Sequence, residues 1–233
     1  IVLLLIMSGV NFLKTETFVP VWVESKTPAG GLTNLTLSDG TIVALNANST
    51  LSYPLTFQKE TRTVKLAGEA YFEVTENPAH PFVVETKGMK IKVLGTRFNV
   101  RNYEDDNRLS ATLLEGSVNV ELLGNLSTGN KAVILEPGQQ ISADKTTNLM
   151  EISEVNTDLY ASWKDGQCYF DNERFADIVK ILERQFGVSI TITSPDLENQ
   201  LYSGFFTKKK GILQILNSFK KNRNFDYRLI DEG

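Results

Sequence analysis

Cysteine and histidine are all but absent: Cys168 and His80 are the single representatives of their types in 233 residues. A lone thiol excludes disulfides within the chain, and one thiol with one imidazole cannot build the cages that hold structural zinc. Cys168 falls in the alternating run Gln167-Cys168-Tyr169-Phe170, where it reads as a small buried hydrophobe. His80 sits in the proline-flanked turn Asn77-Pro78-Ala79-His80-Pro81, and the chain has no nucleophile-elbow sequence. Ser/His/Asp hydrolysis therefore has no foundation. Gly30-Gly31 and Gly95-Thr96 are not followed by a helix or by Gly-Lys-Ser/Thr, which removes them as phosphate cradles. No catalytic residue, no cofactor and no metal is expected.

Basic charge is also short. With 24 Lys/Arg against 28 Asp/Glu, the net charge is −4, and the molecule offers no electrostatic footprint to a nucleic acid. The acidity lies in the front part, because residues 159–233 hold 11 Lys/Arg against 10 Asp/Glu. Long hydrophobic runs are lacking as well. Residues 1–10 are apolar almost throughout, yet a membrane-spanning helix needs roughly 20 such residues. Three readings stand: part of a transmembrane helix, the tail of a signal-peptide core, or a first buried strand. The absence of an A-x-A-like cleavage site before Lys14 counts against the second.

What is present is hydrophobic alternation, in a chain that is 41% hydrophobic and so able to fill a core. From about Val21 to Val155 nearly every segment alternates with period 2 and is punctuated by turn residues. Strands are expected at 63–66, 70–74, 81–86, 89–93, 97–101, 109–114, 117–122, 132–135, 140–143 and 149–155. Leu35 and Leu37 alternate towards Asp39-Gly40, and Val43 and Leu45 continue beyond it, as in a hairpin with a type I′ turn. The fold class is mainly β: an all-β two-sheet unit over 21–155, sandwich, barrel or β-helix-like.

The pattern changes near Asn156. A short strand at 167–170 precedes a stripe of Phe175, Ile178, Val179, Leu182 and Phe186, with Asp171-Asn172 as N-cap and Gly187 as C-cap. Strand 188–192 follows, then strand 201–207, a second stripe of Ile212, Ile215, Leu216 and Phe219, and strand 225–230. These are two βαβ units, a small α+β unit over 156–233.

Clusters that invite chemistry have simpler readings. Glu69, Glu73, Glu76 and Glu115 suggest paired carboxylates, but a solvated strand face or a structural ion pair is favoured. Glu104-Asp105-Asp106-Asn107 lacks the spacing and glycine of a calcium loop and reads as a polar hairpin tip. Lys208-Lys209-Lys210 and Lys220-Lys221-Asn222-Arg223 bracket the second helix, as a solvated face or as rim charge of a protein interface.

Seven stretches in order resemble the FecR family of cell-surface signalling regulators. They are Thr27-Pro28-Ala29-Gly30; Leu37-Ser38-Asp39-Gly40-Thr41 with Leu45-Asn46-Ala47-Asn48-Ser49; Gly68-Glu69-Ala70-Tyr71-Phe72-Glu73-Val74; Val93-Leu94-Gly95-Thr96-Arg97-Phe98-Asn99-Val100; Leu114-Glu115-Gly116-Ser117-Val118; Leu135-Glu136-Pro137-Gly138-Gln139-Gln140; and Trp163-Lys164-Asp165-Gly166. The resemblance implies a single-pass inner-membrane anti-sigma regulator, not an enzyme, whose periplasmic region this chain represents. Residues 1–20 would then be the rest of a transmembrane helix and its linker, and the C-terminal unit would be similar to the secretin/TonB short N-terminal domain.

It further implies two partners: the N-terminal signalling domain of an outer-membrane TonB-dependent transporter, and an extracytoplasmic-function sigma factor held by a cytoplasmic segment outside this sequence. Strand addition at an edge of the α+β unit is the expected docking mode, with Tyr202, Phe205, Phe206, Phe225 and Tyr227 as candidate anchors, some of which must instead be core. The alternative is a carbohydrate-binding or carbohydrate-processing β protein of the cell surface.

Overall fold

A computed structural model describes residues 20–57, 60–126, 132–222 and 225–230. The readings for residues 1–10 lie outside the described residues. Among those described, no helix is long and apolar enough to cross a membrane.

Thirteen short strands form one curled sheet: β1 (Trp22–Thr27), β2 (Thr33–Thr36), β3 (Ile42–Leu45), β4 (Ser49–Pro54), β5 (Arg62–Glu73), β6 (Phe82–Thr86), β7 (Met89–Val93), β8 (Arg97–Asn102), β9 (Arg108–Glu115), β10 (Val118–Leu122), β11 (Val133–Leu135), β12 (Gln139–Asp144) and β13 (Met150–Glu154). Their order is β11-β10-β7-β6-β5-β8-β9-β12-β13, with β4 and β1, and separately β3 and β2, branching from β5. The β5–β6 pair is parallel and the other ladders are antiparallel.

β5 turns the sheet. The glycine at 68 suggests two strands, 63–66 and 70–74, but one twelve-residue strand runs through it. Its first half pairs with β4 and β6, and its second half with β3 and β8. Gly68 has φ +107°, and a Cβ there would lie 2.3 Å from Ser49 Oγ. Only glycine allows both that backbone and that approach. The curl brings Val64, Leu66, Phe82 and Ile91 of one half against Val43, Leu45, Phe98 and Leu113 of the other in a single core. Phe72 stacks on Phe98 within it, ring centroids 5.1 Å apart.

The expected hairpin at Asp39-Gly40 forms, with Thr36 opposite Ile42, but its connection is five residues long rather than two. Gly40 has positive φ and Asp39 does not, so the turn is not type I′. Asp39 instead accepts hydrogen bonds from the Thr41 amide and hydroxyl and pairs with buried Arg62.

After β13 the chain crosses the outer face of β3, β5 and β9 as α1 (Thr157–Tyr160) and a 3₁₀ turn (Ser162–Asp165), where Ala161 and Trp163 pack with Ala44, Tyr71 and Leu114. It then forms β14 (Gln167–Arg174), α2 (Phe175–Phe186), α3 (Pro195–Glu198), β15 (Leu201–Thr207) and α4 (Ile212–Asn222). α2 and α4 bury their apolar stripes on an antiparallel β14–β15 pair around Phe170, Phe175, Ile178, Leu182, Ile215 and Phe219. The chain is thus mainly β, a large curled sheet followed by a small two-stranded α+β unit.

Within that unit the two βαβ units do not form. Segments 188–192 and 225–230 are not strands. Their alternation is real, since Ile190, Ile192, Phe225 and Tyr227 pack on the core. Their backbone donors go elsewhere, the Ile190 amide to Glu183 Oε1 and the Tyr227 amide to Asp226 Oδ1. The sequence reveals which side chains turn inward, whereas a ladder needs a neighbouring strand that alternation does not specify. The expected N-cap at Asp171-Asn172 also moves: these residues belong to an irregularity in β14, Asn172 has φ 50°, and Arg174 is the residue before the helix. Gly187 ends α2 as expected, in the left-handed conformation with its amide donating to Glu183 O.

Candidate partner-binding surface

β15 sorts the candidate anchors by parity. Tyr202 and Phe206 turn inward and pack with Phe175, Phe170 and Phe219; Tyr202 and Phe206 each lie 5.1 Å from the Phe219 centroid. Phe225 packs on Phe175 at 5.7 Å, and Tyr227 donates its hydroxyl to Asn217 Oδ1 while its ring rests on the same core. Phe205 is different: it turns outward and is 63% exposed.

Phe205 is not alone on that face. Leu201, two registers away, is 47% exposed. Tyr169 of β14 lies directly opposite Phe205, so the two rings share the outward face. Tyr160 of α1 meets Tyr169 edge to face at 5.9 Å. Burial pushes the Tyr160 phenol up to about 12, so it stays a neutral donor at physiological pH. Leu201, Phe205, Tyr169 and Tyr160 make an apolar, hydroxyl-rimmed surface, and aromatic rings with polar tips suit protein interfaces. Cys168 points the other way, into the core, and burial raises its thiol to about 11, which leaves it inert.

Lys209 and Lys210 follow β15 in an exposed 3₁₀ turn, and Lys220 and Lys221 end α4. Lys209 and Lys210, next in sequence to the strand that carries Phe205, can supply positive rim charge to a partner, whereas Lys220 pairs with Asp226 on the helix side of the sheet. Of the five candidate anchors the sequence proposed, this face includes Phe205 and not the other four. Tyr160 and Tyr169 were missed, although the pairing of two strands at this register would have identified Tyr169.

Glu69 and Glu115 are not paired with each other but have separate partners. Glu69 is buried and accepts hydrogen bonds from the amides of Asn46 and Asn99, and burial raises its carboxyl above the ordinary value of 4.5. Glu115 instead pairs with Arg97 at the surface.

Comparison with known proteins is consistent with this architecture. A family model described as FecR protein matches residues 24–119, and one described as FecR, C-terminal matches residues 167–233. The chain belongs to the FecR family. The second FecR match begins at the first residue of β14. Two crystal structures of a protein classed as an anti-sigma factor from Parabacteroides distasonis, at 2.50 and 1.65 Å resolution, superpose with a TM-score of 0.84 and 27% identity. The first covers 91% of this chain and 96% of that one; the second covers 90% and 95%. A search of curated proteins returns no match. Membership in FecR, an anti-sigma family, gives the chain a regulatory role with a sigma factor as the implied partner class.

Proposed function

We propose that this chain is the periplasmic sensor of an inner-membrane FecR regulator, and that it docks the N-terminal signalling domain of an outer-membrane TonB-dependent transporter. Residues 1–20 belong to its membrane anchor in this reading, and the signal is relayed to an extracytoplasmic-function sigma factor across the membrane. The observation that carries the docking is the outward face of β14–β15. Large apolar groups are exposed there, with Lys209 and Lys210 directly after the strand, whereas the other large aromatics among the described residues are mostly buried in the two cores. Addition of a partner strand along residues 203–207 would place further side chains on that face.

The test is genetic. Deleting the gene should change transcription of one transporter operon, and a Phe205→Glu allele should fail to restore its response to the transporter's substrate while the purified variant keeps its melting temperature. Full restoration by Phe205→Glu would refute the assignment of the face. An unchanged transcriptome on deletion would refute the regulatory reading as a whole.

A further inference from the structure

The two hydrophobic cores are separate clusters, and what joins them is mostly polar. At the C-terminal turn of α2, Arg184 and Gln185 are buried although neither belongs to the apolar stripe. Arg184 stacks over the Tyr103 ring at 3.9 Å and pairs with Asp105 and Asp106, the latter also bound by Arg101. Gln185 Nε2 donates to Asn46 Oδ1, Asn46 Nδ2 donates to Glu69, Asn99 Nδ2 donates to the other Glu69 oxygen, and Trp163 Nε1 donates to Asn99 Oδ1. One largely buried chain of hydrogen bonds thus runs from α2 through Asn46, just after β3, and then β5 and β8 to the 3₁₀ turn before β14.

A second connection reaches the start of the β unit. The Gly30 amide donates to Arg184 O at 2.7 Å, and the Gly30 carbonyl accepts from Lys208 Nζ. Lys208 immediately follows β15, and its own amide is held by Gly166 O. Gly30 lies three residues after the end of β1, has φ +71°, and its Cα faces the Gln185 carbonyl, where a Cβ would sit at 3.6 Å. The turn at residues 28–31 is therefore clamped between the end of α2 and the end of β15. β1, held on its ladder side by β4, leads back from that turn towards residues 1–19.

We propose that this seam is a reversible latch, and that the 28–31 turn is the joint through which displacement of β15 reaches β1. Its chemistry suits a switch better than a weld. Buried ion pairs contribute little net stability once desolvation is counted, and an interface of hydrogen bonds with a small apolar share opens at modest cost. A ligand with a modest preference for one state can then shift it. The proposal rests on the docking reading only for its trigger.

Amide hydrogen exchange on the 233-residue chain tests the joint without any partner. Lys208→Met removes the side-chain clamp on the Gly30 carbonyl and leaves the two cores intact, and Lys208→Arg is the control that keeps a donor there. Leaving a buried partner unpaired costs enough to speed exchange about tenfold. That acceleration is expected in residues 22–31, with β8, β9 and α4 unchanged. Unchanged exchange in residues 22–31 of Lys208→Met overturns the proposal, as does acceleration spread evenly over the whole chain. Arg184→Met is expected to extend the effect to residues 103–106. The trigger is tested separately: by linkage, if the partner favours the open state, Lys208→Met binds a transporter signalling domain more tightly. Unaltered or weaker affinity would remove the trigger while leaving the exchange result standing.

Discussion

Replacing Asp106 by Asn removes one charge from an ionic site where two arginines meet one carboxylate. Asp106 is 8% exposed, receives Arg101 Nη2 at 2.8 Å and Nε at 2.9 Å on one oxygen, and receives Arg184 on the other. Asparagine keeps the shape but turns an amide donor towards a guanidinium and leaves half-buried Arg101 without its carboxylate partner beside buried Arg184, which retains only Asp105. Breaking a buried pair in this way costs about 3–5 kcal/mol. In a chain of this length each kcal/mol lowers the melting temperature by about 2–4 °C, so a fall of roughly 10 °C is expected. Thermal unfolding at neutral pH, followed by near-ultraviolet circular dichroism, measures it.

The pH dependence has a definite sign. Burial alone would raise the Asp106 carboxyl, but Arg101 and Arg184 hold it below its ordinary 3.8. A depressed carboxylate contributes stability that is fully present above its unfolded value and lost as pH falls through the folded one. The gap between wild type and variant should therefore be constant from pH 5 to 7 and close only below about 3.8. A loss under about 1 kcal/mol at neutral pH, the worth of an exposed pair, would refute the reasoning.

Phe219→Ala should destabilise the α+β unit by about 3–5 kcal/mol, because that ring is 4% exposed and touches Phe170, Phe175, Tyr202 and Phe206; chemical denaturation will read it. Gly68→Ala should cost at least about 2 kcal/mol in chemical denaturation, since positive φ and contact with the Ser49 side chain and backbone both oppose a methyl group; a loss within about 0.5 kcal/mol would contradict that geometry. Cys168 should resist a thiol reagent at pH 8 in the folded protein and react on unfolding; rapid labelling of the native chain would contradict its burial.

The β unit was legible because alternation is a local signal: β7 is where the pattern put it, and β6, β8, β9 and β10 lie within a residue or two. The bend at Gly68 was not, because a glycine that ends a strand and one that lets a strand turn look alike in one dimension. The helices α2 and α4 followed from their stripes, whereas the missing ladders at 188–192 and 225–230 depend on neighbours. At the proposed binding face, aromatic content pointed to β15 but could not separate Phe205 from its inward neighbours until parity was fixed by packing. The seam was hidden more deeply. Asp106 reads as part of a polar hairpin tip and Arg184 lies outside the apolar stripe of its helix, and only their meeting across 78 residues of chain makes them a buried pair. Glu69 reads as part of a solvated strand face or an ion pair, and only the Asn46 and Asn99 amides that meet it in the fold show it to be buried.

The central claim is that the β14–β15 face binds a transporter signalling domain. Calorimetric titration of the 233-residue chain with the signalling domains of TonB-dependent transporters from the same cell measures it directly. One domain should bind with micromolar or tighter affinity, Phe205→Glu should abolish that binding at unchanged melting temperature, and saccharides should give no heat. Full-strength binding by Phe205→Glu, or saturable saccharide binding in place of any signalling domain, would contradict the account.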